Sequence, residues 1–272
     1  MAEATVRGSL RAYRALVGSR VRAQTSYRAS FALDLLGSVG VGLLEAAEIY
    51  VIFHNVDALG GLGVGPALLV FALANLSFSL AGVVVGHLDE LPTYLRAGTL
   101  DAMLLRPLPV LAQLVTSDVS LRRLGRAAVA VVVLVIALPL AVDHWTASAV
   151  AMLVLAPLTG AVIFGSLFVA AAGVQFWVIE GYELTNAFTY GSSYVSAYPA
   201  SVLHVAVRSF FTFVVPAAFT AYLPTLVITG HSGPPGLPAW LGWFTPLVAV
   251  VAAAAGLACW RAGIRHYTGA GG

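Results

Sequence analysis

Five long apolar segments constrain this chain more than any other feature of its sequence. They cover residues 29–53, 66–87, 124–142, 147–178 and 241–260. A helix of about 20 mostly apolar residues is long enough to cross the hydrocarbon core of a bilayer. Because 60% of the residues are hydrophobic and only 10% are charged, the chain has too little polar surface to cover a water-soluble globule. The sequence therefore predicts an all-α membrane protein.

The stretch between the fourth and the last of these segments holds two candidates for one further span. Residues 183–200 are polar for a span, whereas residues 205–228 are apolar but are interrupted by Pro216 and Pro224. We expect only one of them to cross fully, because a seventh span would place the C-terminal arginines opposite the other arginine clusters. Six spans are therefore predicted, and hydropathy alone favours 205–228 as the fifth.

The arginines indicate the orientation of these spans. With six spans, the clusters at 7–28, 96–126 and 261–265 all fall on one side of the membrane, and the short loops near Asp57 and Asp143 on the other side contain no arginine. Loops rich in basic residues remain in the cytoplasm. The sequence thus predicts a multi-pass protein of the cell membrane with both termini in the cytoplasm.

The chain contains no lysine, so all 14 of its strongly basic residues are arginines. The phosphate-binding loop G-x-x-x-x-G-K-[ST] requires a lysine. Nucleotide hydrolysis through this motif is therefore excluded, and any energy from ATP must come from another subunit. The six histidines are isolated in sequence and Cys259 is the only cysteine, so we expect no metal site and no catalytic centre. We expect no nucleic-acid partner.

Two regions outside the spans have a pattern of their own. Residues 9–28 place apolar side chains on one helical stripe, with most arginines off it, which predicts an amphipathic helix at the membrane surface. The stripe is formed by Leu10, Tyr13, Leu16 and Val17. A generic basic flank would explain the charge but not this stripe. Residues 222–246 contain five prolines, with Gly230, Gly233 and Gly236 among them, which indicates an external loop.

The connection between the second and third spans is nearly forty residues long, over 88–123, and is amphipathic. A long structured loop usually has a function. The alternative is a helix lying on the lipid surface, with Leu100, Met103 and Leu104 against the membrane.

Several short motifs resemble those of one family, the membrane subunits of type-two ATP-binding-cassette (ABC) exporters, in a bacterial branch. The most specific are Arg96-Ala-Gly98-Thr-Leu100-Asp101 and Leu104-Leu105-Arg106-Pro107, and the weaker ones are Phe176-Trp177, Tyr198-Pro199, Pro216 and Tyr222-Leu-Pro224. The resemblance covers nearly the whole chain.

This resemblance implies a single transmembrane domain over 1–272. It would have an interfacial helix at 1–28, six spans, a cytoplasmic coupling helix within 88–123, and an external re-entrant hairpin within 201–240. The spacing of Tyr198-Pro199 and Pro216 resembles that of the family, which implies a fifth span at 183–200 and a re-entrant segment at 201–228.

The resemblance also implies partners. Two copies of a cytoplasmic ATPase subunit would bind ATP and magnesium, so this chain itself would need no cofactor. A second permease, identical or homologous, would complete the transmembrane unit in the bilayer of a bacterial plasma membrane. The expected activity is export of an amphiphilic or drug-like substrate.

Two sets of residues are candidates for the functional site. Those expected to couple the ATPase to the spans are Asp89, Glu90, Arg96, Gly98, Leu100, Asp101, Arg106 and Pro107. Among these, Gly98 would let the chain turn and Pro107 would end a helix.

Ionisable residues inside a span usually face protein or water, which makes them candidates to line a substrate pathway. The pathway candidates are Asp34, Glu45, Glu48 and Asn186. Alternatively, Glu45 and Glu48 reach the headgroups and Asp34 pairs with Arg28.

Other classes of protein remain open. An ion-coupled secondary transporter would use the three acids of the first span as coupling groups. An integral membrane enzyme would need acids or histidines clustered at one face, which the loops do not offer. The pattern Gly82-x-x-x-Gly86 in the second span is a candidate for a tight helix contact, although such patterns are frequent in any span.

Overall fold

A computed structural model describes Gly18 and residues 28–117, 121–178 and 182–269. Over these residues the chain is almost entirely helical, and the one β-type pairing is an isolated bridge between Leu59 and Leu62. The predicted interfacial helix at 1–28 lies almost wholly outside the described residues and stays a prediction.

The α-helices follow one another along the whole described chain. In order they are α1 (Arg28–Asn55), α2 (Val64–Val85), α3 (Leu91–Arg96), α4 (Thr99–Leu104), α5 (Val110–Ser117), α6 (Leu124–Ala141), α7 (Ala147–Val174), α8 (Tyr182–Ser196), α9 (Val205–Ser209), α10 (Tyr222–Thr229) and α11 (Thr245–His266). Between them lie a π-helical turn at Phe210–Val214 and short 3₁₀ helices at Gly86–Glu90, Leu121–Arg123, Ala200–Val202, Ala217–Phe219 and Ala239–Phe244.

Among the described residues, five helical segments are long and apolar enough to cross a membrane. They are Ala29–Asn55, Val64–Arg96, Leu124–Ala141, Ala147–Val174 and Ala239–His266. Each overlaps one of the five apolar runs of the sequence, so the predicted all-α membrane fold is confirmed.

The sixth candidate span has the irregularity that its two prolines predict. Helices Val205–Val214 and Ala217–Thr229 are long and apolar enough to cross a membrane only as a pair, and they are bent by 72° where they meet at Pro216. Proline lacks the backbone N–H that would continue a helix. A bend of this size fits a broken span or a re-entrant segment, and the second is the arrangement that the family resemblance implies.

The polar helix α8 (Tyr182–Ser196) is accommodated by burying its hydroxyl groups inside the protein. Its buried polar residues are Thr185, Thr189, Ser192, Ser193 and Ser196. Thr189, Ser192 and Ser196 each donate a hydrogen bond to the carbonyl four residues earlier. Since these hydroxyls are satisfied within the helix, they can be buried in an apolar bundle at little cost.

Small residues bring α7 and α11 close together. A Cβ added at Gly256 of α11 would lie 2.6 Å from the carbonyl oxygen of Ser166. A Cβ added at Gly173 of α7 would lie 2.8 Å from backbone atoms of Cys259 and Trp260. The two helices can approach this closely only because glycine has no side chain.

Helix α2 packs against both α6 and α7, while α1 lies at the edge of the bundle and packs mainly against α6. One close contact between α1 and α6 is at Gly42, where an added Cβ would lie 3.1 Å from the Val129 side chain. Most other side chains of α1 are exposed, including Leu33, Leu44 and Tyr50. This helix therefore presents a broad apolar face to lipid or to another protein.

Candidate functional site

Residues 86–117, which we call the 86–117 segment, fold into a compact series of short helices after α2. The 3₁₀ helix Gly86–Glu90 continues into α3, and the chain then turns at Gly98 into α4. Gly98 has a φ of +66°, a left-handed conformation that glycine adopts without strain. The expected turn at Gly98 is therefore present, and Pro107 follows the end of α4 at Leu104.

The inner face of the 86–117 segment is apolar and packs into the end of the bundle. Its buried side chains are Leu88, Leu91, Leu95, Leu100 and Leu114. They form one cluster with aromatic residues of α2, α7 and α11, namely Phe78, Phe164, Phe168 and Trp260, and with Phe176 just after α7. Burying five leucines in this way holds the segment firmly on the spans.

Polar contacts fix the shape of the segment. The side-chain amide of Gln113 donates to the carbonyl oxygens of Met103 and Leu108, both at 2.9 Å. His87 and Tyr94 form a hydrogen bond of 2.9 Å between their side chains. These bonds tie α4 to α5, and α3 to the 3₁₀ helix that follows α2, so they link the parts of the segment to one another.

The eight predicted coupling residues divide between the two faces. Glu90, Arg96, Arg106 and Pro107 are exposed on the outer face. Leu100 is fully buried, which places it against the bundle rather than on the lipid surface. Gly98 forms the turn.

Asp89 also faces the bundle. Its carboxylate accepts a hydrogen bond from the Tyr190 hydroxyl at 2.8 Å and lies 3.4 Å from the Arg123 guanidinium. Arg123 in turn donates to the Tyr190 hydroxyl at 3.1 Å. This triad joins the 86–117 segment to α8 and to the turn that precedes α6.

The glycines of the Gly82-x-x-x-Gly86 pattern make room for Arg123. A Cβ added at Gly82 would lie 2.5 Å from Nη1 of Arg123, and one added at Gly86 would lie even closer to the same nitrogen. In this chain the two glycines therefore seat an arginine side chain from the turn before α6, in addition to any contact between helices.

Asp101 lies beside the C-terminal end of the described chain. Tyr267 follows α11 and its ring packs edge-on against Phe176, with centroids 5.8 Å apart. Burial, together with the nearby Asp101 carboxylate, raises the pKa of the Tyr267 hydroxyl. The proximity of Tyr267 and Asp101 thus links the end of α11 to α4 of the 86–117 segment.

A second polar group lies inside the bundle, around Arg126 in the first turn of α6. Nη2 of Arg126 forms an ion pair of 2.5 Å with Glu45 of α1, and Nε donates to the Asn75 side chain of α2 at 3.1 Å. The guanidinium also lies 5.4 Å from the centroid of the Phe78 ring. Arg126 therefore joins three spans.

The third acid of α1 has different partners. Glu48 accepts hydrogen bonds from the hydroxyls of Tyr194 and Tyr198, at 3.1 and 2.7 Å. Two of the predicted pathway acids therefore have partners within the protein. Glu45 binds Arg126 of α6, and Glu48 binds Tyr194 of α8 and Tyr198, which follows α8. Asn186 is half-buried on α8.

Asp34, the remaining pathway candidate, lines a cavity of about 310 Å³ between α1, α2, α8 and the start of α6. The cavity is lined by Asp34, Gly37, Ser38, Val41, Phe78, Ser79, Arg123, Arg126 and Tyr190. None of the described basic side chains forms an ion pair with Asp34; the Arg28 side chain lies outside the described atoms.

Sequence reasoning missed the arginines and tyrosines that bind these acids. Arg123 and Arg126 were counted only as basic residues that indicate orientation. The available signal was the position of Arg126 inside the third apolar run, because an arginine there needs an acidic partner. Tyr190, Tyr194 and Tyr198 recur every four residues, which places them on one face of a helix.

Over the described residues, an almost entirely helical bundle with charged side chains paired between its candidate spans is typical of a polytopic membrane protein. A family model described as "ABC-2 family transporter protein" matches residues 41–271. The chain belongs to this family, and the predicted type-two ABC permease is confirmed. A comparison with curated proteins and one with solved structures found no match.

Proposed function

We propose that this chain is the permease subunit of an ATP-driven exporter that moves an amphiphilic or drug-like substrate. The family supplies the class, an ABC transporter permease in the membrane. The sequence has no lysine and hence no phosphate-binding loop. Energy would therefore come from ATP and magnesium bound by a separate cytoplasmic ATPase.

The observation that carries this proposal is the two-faced 86–117 segment. Its inner face is anchored by buried leucines, while its outer face exposes apolar and charged side chains side by side. Leu105 is 88% exposed, and Arg106 and Pro107 follow it. We infer that Leu105, with the exposed Leu104 and Arg106 beside it, is the apolar anchor of a partner-binding surface.

The contacts of this segment supply a route for a push from a partner to the spans. A displacement of α3 and α4 would reach α8 and α6 through Asp89, Tyr190 and Arg123. From α6 it would reach α1 through the Arg126–Glu45 ion pair. Packed elements of this kind move as units.

The proposed assembly contains two ATPase subunits and two permeases, the second identical or homologous to this chain. The 86–117 segment and both termini would lie in the cytoplasm, and residues 201–240 would form an external hairpin. Localisation to a bacterial plasma membrane follows from the same resemblance. ATP binding would close the ATPases and shift the spans between inward-facing and outward-facing states.

The decisive experiment is affinity purification of the tagged full chain from membranes of its native host. We expect a protein carrying a phosphate-binding loop to co-purify. Leu105→Asp should reduce its recovery about tenfold, since an exposed apolar anchor would become charged. The matched control is Trp145→Asp. The Trp145 side chain is 52% exposed and lies between α6 and α7, away from the 86–117 segment.

Absence of any such ATPase from the purified material would overturn the proposal. It would then favour the ion-coupled secondary transporter. That alternative is weakened by the engagement of Glu45 and Glu48 with side chains of other helices.

A coupling variant provides a second, independent test. Arg96 is exposed on α3 and donates through Nε to the carbonyl of Pro92 at 3.3 Å, so its charge faces outward without holding the fold. We expect Arg96→Glu in the reconstituted complex to lower transport more than ATP hydrolysis. Equal losses of both activities, or no loss, would contradict a coupling role.

A further inference from the structure

The cavity beside Asp34 is distinct from the 86–117 segment and lies among the spans. Its volume of about 310 Å³ is at the lower end of the range found for pockets that bind small molecules. The wall has an apolar part, formed by Val41 and Phe78, and a polar part, which contains Asp34, Ser79, Tyr190 and the two arginines Arg123 and Arg126. It is thus suited to an amphiphilic ligand.

The charges around this cavity are not balanced. Three carboxylates of described residues, those of Asp34, Glu45 and Asp89, surround two guanidinium groups, those of Arg123 and Arg126. Arg126 is paired with Glu45 at 2.5 Å and Arg123 with Asp89 at 3.4 Å. The carboxylate left over is that of Asp34, which is exposed at the cavity wall.

The remaining binding groups of the wall also suit a cation. The rings of Phe78 and Tyr190 meet edge to face, with centroids 5.4 Å apart. The Phe78 ring already contacts the Arg126 guanidinium, so the Tyr190 ring is the one that we expect to attract an organic cation. Ser79 is 98% buried and its hydroxyl oxygen has no hydrogen-bond partner among the described atoms. This oxygen is an unused acceptor or donor for a bound ligand.

We propose that this cavity binds a hydrophobic organic cation, with Asp34 as its counter-charge and the Phe78 and Tyr190 rings around its apolar body. The inference that such a cation is the exported substrate rests on the proposed function. The inference that the cavity binds a cation depends on this chain alone. An anionic ligand is disfavoured because both arginines at the wall already have carboxylate partners.

Two ions of nearly the same size and shape but opposite charge test the proposal, tetraphenylphosphonium and tetraphenylborate. Their binding to the purified full chain in detergent micelles is measured by isothermal titration calorimetry, with empty micelles as the blank. We expect Asp34→Asn to weaken tetraphenylphosphonium binding about tenfold, as the loss of one partly screened ion pair implies. Tetraphenylborate binding should not weaken.

Matched variants separate charge from shape and from damage to the fold. Asp34→Glu keeps the charge and should retain most of the affinity. Asp143→Asn removes an exposed acid outside the cavity and should have no effect. Gly37→Leu fills the cavity, because a Cβ at Gly37 meets no atom within 4 Å; it should abolish binding while leaving all charges in place.

The outcomes are separable from those of the ATPase purification. Equal tetraphenylphosphonium affinity in wild type, Asp34→Asn and Gly37→Leu would overturn the cation site, as would tighter cavity-dependent binding of tetraphenylborate. If Asp34 governs cation binding but no ATPase co-purifies, the site stands and the proposed function fails. If an ATPase co-purifies but Asp34→Asn leaves cation binding unchanged, the proposed function stands and the cation site fails.

Discussion

Removal of the Arg126–Glu45 ion pair provides a quantitative test of how the spans are held together. The two side chains are 21% and 19% exposed, and their charged atoms lie 2.5 Å apart. Arg126→Met would leave the Glu45 carboxylate without its partner inside the bundle. Breaking a fully buried ion pair from one side costs about 3–5 kcal/mol. Since each side chain retains about one fifth of its exposure and a polar cavity adjoins Arg126, we expect a loss of about 2 kcal/mol.

Glu45→Gln should cost less, about 1 kcal/mol. Arg126 would keep the hydrogen bond to Asn75 at 3.1 Å and the contact with the Phe78 ring. The double variant Arg126→Met with Glu45→Gln contains neither charge. It should therefore be more stable than the sum of the single losses predicts, by about 1 kcal/mol or more.

The free energy of unfolding can be measured by titrating SDS into dodecyl maltoside micelles and following the fluorescence of the five tryptophans. Arg261→Met is a suitable control, because Arg261 is exposed on α11, and it should change the stability by less than about 0.5 kcal/mol. If the two single losses add to the loss of the double variant within about 0.3 kcal/mol, the ion pair contributes no coupling and the reasoning is refuted.

Three further predictions follow from the packing. Gly256→Ala should destabilise the bundle by about 1–3 kcal/mol in the same SDS titration, because its Cβ would meet the backbone of α7. Gly37→Ala is the control and should leave the stability unchanged. Equal effects of the two substitutions would contradict the close approach of α7 and α11. Gly82→Ala should lower the free energy of unfolding by about 1 kcal/mol, because its methyl group would displace Arg123. In the double variant with Arg123→Gln, the total loss should be smaller than the sum of the two single losses, and a loss equal to that sum would count against a shared contact. Burial and the nearby Asp101 carboxylate raise the pKa of the Tyr267 hydroxyl. The difference in absorbance at 295 nm between wild type and Tyr267→Phe should therefore titrate at higher pH than free tyrosine, and a midpoint no higher than that of free tyrosine would disprove it.

Much of the 86–117 segment could be predicted, because its signals are local. Gly98 permits the turn, Pro107 follows the end of α4, and amphipathic spacing separates buried leucines from exposed arginines. Which of the predicted coupling residues face outward could not be predicted, since Asp89 and Glu90 are adjacent acids and nothing local distinguishes a buried leucine such as Leu100 from an exposed one such as Leu105. Their faces depend on how α3 and α4 dock on the ends of α2, α7 and α11.

The pairing of charges among the spans was beyond sequence reasoning for a different physical reason. The spans are apolar around most of their circumference, so periodicity gives no information about which face is turned inward. Glu45 and Arg126 are separated by 81 positions, and their meeting depends on the rotation and depth of two helices. The same rotation leaves Asp34 at the cavity wall with no ion pair to any described side chain.

The sequence by itself determined that the chain is helical, that it spans a membrane several times and that it lacks a nucleotide-hydrolysing loop, because these properties depend on the length and composition of local segments. Only the tertiary structure decided that Gly82 and Gly86 seat an arginine, that two of three acids in α1 are occupied, and that a cavity adjoins the third. These features arise from contacts between residues far apart in the chain, whose geometry is fixed only when the helices pack.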